Sequence, residues 1–366
     1  MNNLFGSVFQ DKTILVTGHT GFIGSWLSLW LTMLGSNVIG YSLKPPTSPS
    51  LFEILDLEKN LQHNIGDIRS ISDLEKTIND NKPSFIFHLA AQPLVYTSYE
   101  IPLETIETNV LGTANLLDIT RNLEYLSGIV VMTSDKCYDN SFEKHAHVEN
   151  DPMGGFDPYS ASKGAAELIT NAYRNSFFNS KKNNTGLATV RAGNVIGGGD
   201  WSQYRLVPDC IKSINSNIAI RLRNPNATRP WQHVLEPISG ILWLANRISK
   251  DPKKFNGSWN LGPSLQEKQV TVEELVQSLI EKHDSKIPVE SDNDSKLHES
   301  NLLSIDPSKS ENELHLKNIL SIDESITETV SWYKAFHNHD EMKNFSINQI
   351  ERFIMKAKER NLLWAQ

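Results

Sequence analysis

The chain has 366 residues, of which 39% are hydrophobic and 21% charged, with a net charge of −8. That length fits one large domain or two smaller ones, and the acidic balance argues against a nucleic-acid partner. Two cysteines, Cys137 and Cys210, are too few for a disulfide framework or a four-cysteine metal site. The amino terminus has no basic segment followed by an apolar one, and the longest apolar stretch, 26–34, is about half a membrane span, so a soluble cytoplasmic protein is expected, with no metal and no membrane contact.

Residues 12–17 (KTILVT) read as a β-branched strand that runs into the glycine loop GHTGFIG and then into an apolar helix from Ser25. Strand, glycine loop and helix in that order form a dinucleotide cradle, because the glycines let a backbone approach a pyrophosphate at the helix amino terminus. A tight βα turn with no ligand is the plainer alternative. Residues 37–42 (NVIGYS) form the second strand, and no acid stands at its end to hold an adenosine ribose. Ser42 and Lys44 stand there instead, which leaves NAD and NADP both open. Residues 45–50 are a proline-rich loop. Asp67, after a short third strand, either accepts from the adenine amine or caps the next helix. Residues 84–91 (SFIFHLAA) are a fourth strand whose small Ala90 and Ala91 let a dinucleotide cross its end, and 104–121 is a helical pattern containing Asn109.

The fifth strand, 128–132, ends on Thr133, whose hydroxyl then lies at the crevice of an open α/β sheet. Asp135 and Lys136 follow. Tyr159 and Lys163 lie four apart, one helical turn from each other, and an ammonium beside a phenol favours the phenolate. A sixth strand covers 186–190. Regular β and α alternation to this point predicts a doubly wound parallel sheet, the α/β Rossmann arrangement. The composition then shifts to glycine, proline and arginine, placing a boundary between a first domain, 1–190, and a smaller one, 191–366. Arg221, Arg223 and Arg229, with Trp231 nearby, suit a nucleotide diphosphate and a stacked base, or else form a solvated charged turn. Residues 270–281, 323–336 and 346–363 read as helices, the last for packing or oligomerisation, and 284–304 as a polar loop or exposed strand.

The segments GHTGFIG, HLAAQ, the Thr133–Tyr159–Lys163 set and RAGNVIGGGDW resemble the extended short-chain dehydrogenase/reductase superfamily over nearly the whole chain. Within it, TSDKCYDN, ENDPMGGFDPYSASKGAAEL, RAGNVIGGGDW and LRNPNATRPWQHVLEP are similar to the CDP-glucose 4,6-dehydratase family. The resemblance implies NAD as cofactor and a catalytic set of Thr133, Asp135, Lys136, Tyr159 and Lys163. Thr133 would bond the sugar 4-hydroxyl, Tyr159 take its proton, Lys163 tune Tyr159 and bind the nicotinamide ribose, Asp135 protonate the leaving 6-hydroxyl, and Lys136 act as base at carbon 5. Candidate cofactor contacts are Gly18, Thr20, Gly21, Phe22, Ile23, Gly24, Ser42, Asp67, Ile68, Leu89, Ala90, Ala91 and Asn109, the last as a structural neighbour. Candidate substrate contacts are Gln92, Asn194, Arg205, Arg223, Arg229 and Trp231. The family also implies a homodimer or homotetramer through the helices carrying Asn109 and Tyr159, and CDP-dideoxyhexoses for a bacterial surface polysaccharide such as lipopolysaccharide O-antigen. The chain departs from the family pattern at 141–148, SFEKHAHV, beside the active site, and more mildly at Gln203-Tyr204-Arg205. Another epimerase or reductase of the superfamily, or a non-catalytic dinucleotide-binding protein, are the competing readings.

Overall fold

A computed structural model describes residues 3–139, 145–179, 184–291 and 304–366. Its strands are β1 (Thr13–Thr17), β2 (Asn37–Ser42), β3 (Gln62–Ile65), β4 (Phe85–His88), β5 (Gly128–Met132), β6 (Gly186–Ala192), β7 (Val195–Ile196), β8 (Ile220–Leu222), β9 (Gln232–His233), β10 (Gly257–Leu261) and β11 (Val289–Ser291). Seven of them form one parallel sheet in the order β10-β6-β5-β4-β1-β2-β3. Central strands β1, β4, β5 and β6 are apolar runs buried on both faces, as a sheet covered by helices on both sides requires. One apolar layer gathers Trp26, Trp30, Trp259 and Trp332, and the opposite layer gathers Leu15, Ile39, Leu74, Ile86, Leu116 and Ile129. Strand order reverses between β1 and β4, and the crevice at their carboxyl ends is where ligands bind in such sheets.

The sheet crosses the boundary expected at 190/191. Residues 257–261 return as edge strand β10, with Trp259 opposite Val190 and Asn260 opposite Arg191. The helix Leu235–Lys250, buried along almost its whole length, packs beneath β5 and β6. Its burial and the pairing of β10 outweigh the local change in composition on which a cut at 190 relied. Outside this sheet, the chain after β6 also forms the parallel pairs β7–β9 and β8–β11.

The helical pattern at 104–121 resolves into Pro102–Ile106, a π turn at Glu107–Leu111 and Gly112–Thr120. The widened turn brings Asn109 inward, as π-bulges near functional sites do. Reciprocal capping boxes, Thr271 with Glu274 and Ser321 with Glu324, start the helices Val272–Lys282 and Ile322–His337. In the last long helix, Met342–Glu359, Ile350, Phe353 and Ile354 are buried, as is Leu362 beyond it, so this helix packs on the core. Most of the expected 284–304 segment lies outside the described residues, as do positions 141–144 of the departing loop; His147, at the loop's end, pairs with Ile305. Among the described residues, no helix is long and apolar enough to cross a membrane.

Candidate active site

A cleft of about 2230 Å³ runs along the carboxyl ends of the strands. Its dinucleotide side is shaped by backbone. Gly18 adopts φ +76°, and a Cβ there would lie 2.7 Å from the Ala90 nitrogen; a Cβ on Gly24 would lie 2.1 Å from the Gly18 carbonyl. No side chain caps the following helix, Phe22–Met33, so its first amides remain available to an anion. Gly21 and Phe22 border the cleft there, so the loop fits a pyrophosphate. Thr20, Ile23, Leu89, Ala90, Ala91 and Ile68 line the same wall. At the end of β2, Ser42 Oγ lies 2.9 Å from Thr20 Oγ1, and Lys44 borders the cleft beside them. Asp67 also lines the cleft, but its carboxylate accepts from the Arg69 amide and guanidinium, and Ser70 holds the N-cap position of the helix Ile71–Asn81; Asp67 is not that helix's cap.

Two expected contacts are directed elsewhere. Gln92 donates from its side chain to the Leu94 carbonyl and the Thr105 hydroxyl, and accepts from the Leu94 amide, so its polar atoms brace their own loop. Asn109 accepts from the Gln92 amide and donates to the Gln92 carbonyl and to Ser162 Oγ. Neither lines the cleft. Asn109 fastens the loop after β4 to the helix Pro158–Tyr173.

The reacting end lies where β5 leaves the sheet. Thr133 borders the cleft, but its hydroxyl donates to Glu167 at 2.5 Å, and the Val190 carbonyl is 3.1 Å from the same oxygen. Ser134 follows in extended conformation, φ −162°, so its side chain takes the opposite side, where it hydrogen-bonds Asp135 Oδ1 at 3.0 Å and influences the Tyr159 phenol. Sequence reasoning passed over Ser134; its position directly before Asp135-Lys136 was the available signal. The short helix Asp135–Cys137 sets Asp135 and half-buried Lys136 at the cleft. Burial raises the Asp135 carboxyl above its usual range, against the pull of Lys136, Ser134 and Arg229, and leaves Oδ2 with no partner. A carboxyl shifted in this direction is better suited to giving up a proton than an exposed one.

Asp157 caps the helix Pro158–Tyr173, which carries Tyr159, Lys163 and Glu167 four residues apart along one face. Burial pushes the Tyr159 phenol up to about 12 and brings the Lys163 ammonium down to about 8. The expected lowering of Tyr159 by Lys163 is absent: the ammonium lies 5.9 Å from the phenol ring centroid and 3.5 Å from the Met132 carbonyl, and lost hydration dominates both groups.

Asn194, Arg205, Arg223, Arg229 and Trp231, the expected substrate contacts, also line the cleft wall. Arg205 is paired with Asp200 at 3.0 Å, beside Tyr159. Arg223 lies over the Tyr96 ring at 4.4 Å, and Tyr96 stacks on Tyr204, whereas Arg221 pairs with Glu290 at the rim. Trp231 donates to the Val270 carbonyl, which fixes its indole. Among the described residues, one group has metal-ligand spacing, His145, His147 and Asp151. Both imidazoles reach Asp151 Oδ2 at 3.0 Å, and hydrogen bonding accounts for the arrangement.

Comparison with known proteins identifies the family. The family profile described as GDP-mannose 4,6 dehydratase matches residues 15–329. The CDP-glucose 4,6-dehydratase of Salmonella typhimurium is 45% identical over 349 residues, covering 94% of this chain and 97% of that one. The CDP-paratose 2-epimerase of Salmonella typhi is 30% identical over 52% of this chain and 60% of its own. In structure, a dTDP-glucose 4,6-dehydratase from Streptomyces venezuelae with NAD and TYD bound superposes with a TM-score of 0.76 at 23% identity, covering 90% of this chain and 99% of that one. A UDP-glucose 4-epimerase from Stenotrophomonas maltophila superposes at 0.77 with 20% identity, over 90% and 99% of the two chains.

Proposed function

The chain belongs to the nucleotide-sugar 4,6-dehydratase family, and from that premise we propose that it is an NAD-dependent hydro-lyase that converts CDP-glucose to CDP-4-keto-6-deoxyglucose. The observation that carries the reading is a buried, upward-shifted acid, Asp135, with Lys136 next to it, in one cleft with Tyr159. An epimerase or a simple reductase has no use for a second acid and base beside its tyrosine. The 45% identity to a CDP-glucose 4,6-dehydratase supports the choice of nucleotide.

Bound NAD supplies the hydride acceptor for carbon 4 and later the hydride returned to carbon 6. The protein supplies the proton transfers. Ser134, rather than Thr133, holds the sugar 4-hydroxyl, and Tyr159 takes its proton. Once carbon 4 is a carbonyl, the proton on carbon 5 is acidic. Lys136 removes it while Asp135 gives its proton to the leaving 6-hydroxyl and water departs; Lys136 returns a proton to carbon 5 when carbon 6 is reduced, and the proton taken by Tyr159 is released as Asp135 is reprotonated. Lys163, on the cleft wall, would hold the nicotinamide ribose. The net change is loss of one water, with no net consumption of cofactor. Asn194, Arg205, Arg223 and Arg229 hold the nucleotide diphosphate, with Trp231 as the aromatic wall, in a small lobe built from the segments after β6 other than the returning helix and β10.

We also propose a homodimer. The helices expected to form its interface expose Leu103, Ile106, Leu111 and Leu168, the first of them 68% exposed, an apolar row that a second copy would cover. The enzyme is tested by incubation with CDP-glucose and NAD, following the alkali-induced absorbance of a 4-keto-6-deoxy sugar, with dTDP-, UDP- and GDP-sugars in parallel. Product from CDP-glucose and from none of the others supports both reaction and base preference; no product from any of them refutes the dehydratase.

A further inference from the structure

Behind the reacting groups lies a buried ion pair to which the reaction assigns no task. Glu167 and Arg191 meet at 2.8 Å, with side chains 2% and 4% exposed. The carboxylate gathers further donors: Oε2 accepts from Thr189 at 2.8 Å and Ser258 at 3.1 Å, and Oε1 from Thr133 at 2.5 Å. Arg191 continues the network to the Tyr138 hydroxyl at 2.7 Å and the Glu149 carbonyl at 2.9 Å. Removing two charges from water is costly, and an apolar pair of similar volume often folds as well or better. Stability alone therefore gives weak reason for these two residues.

Their connections give a stronger one. Glu167 is on the same helix face as Tyr159 and Lys163, two turns beyond the tyrosine. Its partner Thr133 is the residue before Ser134, and the extended backbone at Ser134 sends the two side chains to opposite sides. Holding the Thr133 hydroxyl back against Glu167 therefore turns Ser134 forward. One hydrogen bond couples the element that carries the phenol to the element that carries Ser134 and Asp135. We infer that Glu167, held in place by Arg191, is a positioning residue that acts through Thr133 to set Ser134 and Asp135 against Tyr159.

This rests on the dehydratase reading, which turnover of the wild-type chain tests first and separately. The inference is then tested by how much Ser134 matters once the brace is cut. In the wild type, Ser134→Ala should lower kcat about a hundredfold, the scale of losing one placed hydrogen-bonding group. Two braceless backgrounds are made. Thr133→Val removes the hydroxyl and leaves the ion pair intact. Glu167→Leu with Arg191→Met removes the pair without orphaning a charge, and it covers the case in which Thr133 has a role of its own. Each background should lower kcat by about tenfold to a hundredfold with KM within about twofold, as misplacement of reacting groups does. In each, adding Ser134→Ala should cost less than about fivefold more, because the hydroxyl is already out of place. A general loss of packing would leave the Ser134→Ala penalty at its wild-type size. The inference is overturned if that penalty is unchanged in both backgrounds, or if the Glu167/Arg191 double variant turns over at the wild-type rate. It is overturned as well if only Thr133→Val is impaired.

Discussion

Lys163 should cost the fold stability in return for its place beside the cofactor site. Burial lowers its ammonium from 10.5 to about 8, a difference of about 2.5 pH units and therefore about 3 kcal/mol in favour of the neutral amine. The unfolded chain binds more protons than the folded one between about pH 8 and 10.5, so this contribution makes stability rise with pH across that window; below it both states are protonated and the full cost applies. Lys163→Met keeps the stem and removes the charge. Urea unfolding of both chains, stripped of dinucleotide, should show the variant more stable by about 3 kcal/mol near pH 7, narrowing to about 1.4 kcal/mol near pH 9.5. Turnover of CDP-glucose should be lost at both pH values. A variant less stable than wild type at neutral pH, or a gain that does not narrow with pH, would refute the argument that the lost hydration of Lys163 outweighs every favourable contact its ammonium makes.

Asp135→Asn should abolish formation of the 4-keto-6-deoxy product by at least about a hundredfold, while reduced nicotinamide still builds up on addition of CDP-glucose, because the proton donor for the leaving hydroxyl is gone and the groups serving carbon 4 remain. In the wild type, kcat should fall as pH rises through the raised Asp135 pKa, since the acid form is the useful one. Glu236, whose carboxyl burial raises from 4.5 to about 8 while it accepts from the Ile319 and Leu320 amides, makes the folded state bind more protons between those values, so stability falls as pH rises across them. Glu236→Gln keeps an acceptor without the charge, and its thermal unfolding temperature should exceed that of wild type by a margin that grows from about pH 5 to pH 8; a constant margin would contradict this. Gly18→Ala adds a Cβ 2.7 Å from the Ala90 nitrogen at φ +76° and should lower stability by about 1–3 kcal/mol and weaken NAD binding, measured by denaturation and by equilibrium titration.

Much of the architecture is legible in the chain because its signals are local. The strand, glycine loop and helix at 12–34, the alternation through β6, and the four-residue spacing of Tyr159 and Lys163 depend on neighbours in sequence, and backbone geometry translates them directly into a parallel sheet and a shared helix face. Asp135 and Lys136 stand out in the same way, as two opposite charges following a strand end. What only the tertiary structure decided is where side chains point and what faces them from far along the chain. Thr133 and Ser134 both border the cleft, and the Thr133 hydroxyl is taken up by Glu167, 34 residues later. Gln92 is absorbed by Leu94 and Thr105, and Asn109 is drawn to Ser162 by a π turn that the helical pattern does not reveal. Strand β10 joins the sheet beside β6 despite about 65 intervening residues, because hydrogen-bond pairing and burial of Trp259 reward a return that local composition does not encode. The proton affinities follow the same division. The order Tyr–x–x–x–Lys suggests a charge beside a phenol, but burial on every side, a property of the packed molecule alone, sets the phenol to about 12 and the amine to about 8.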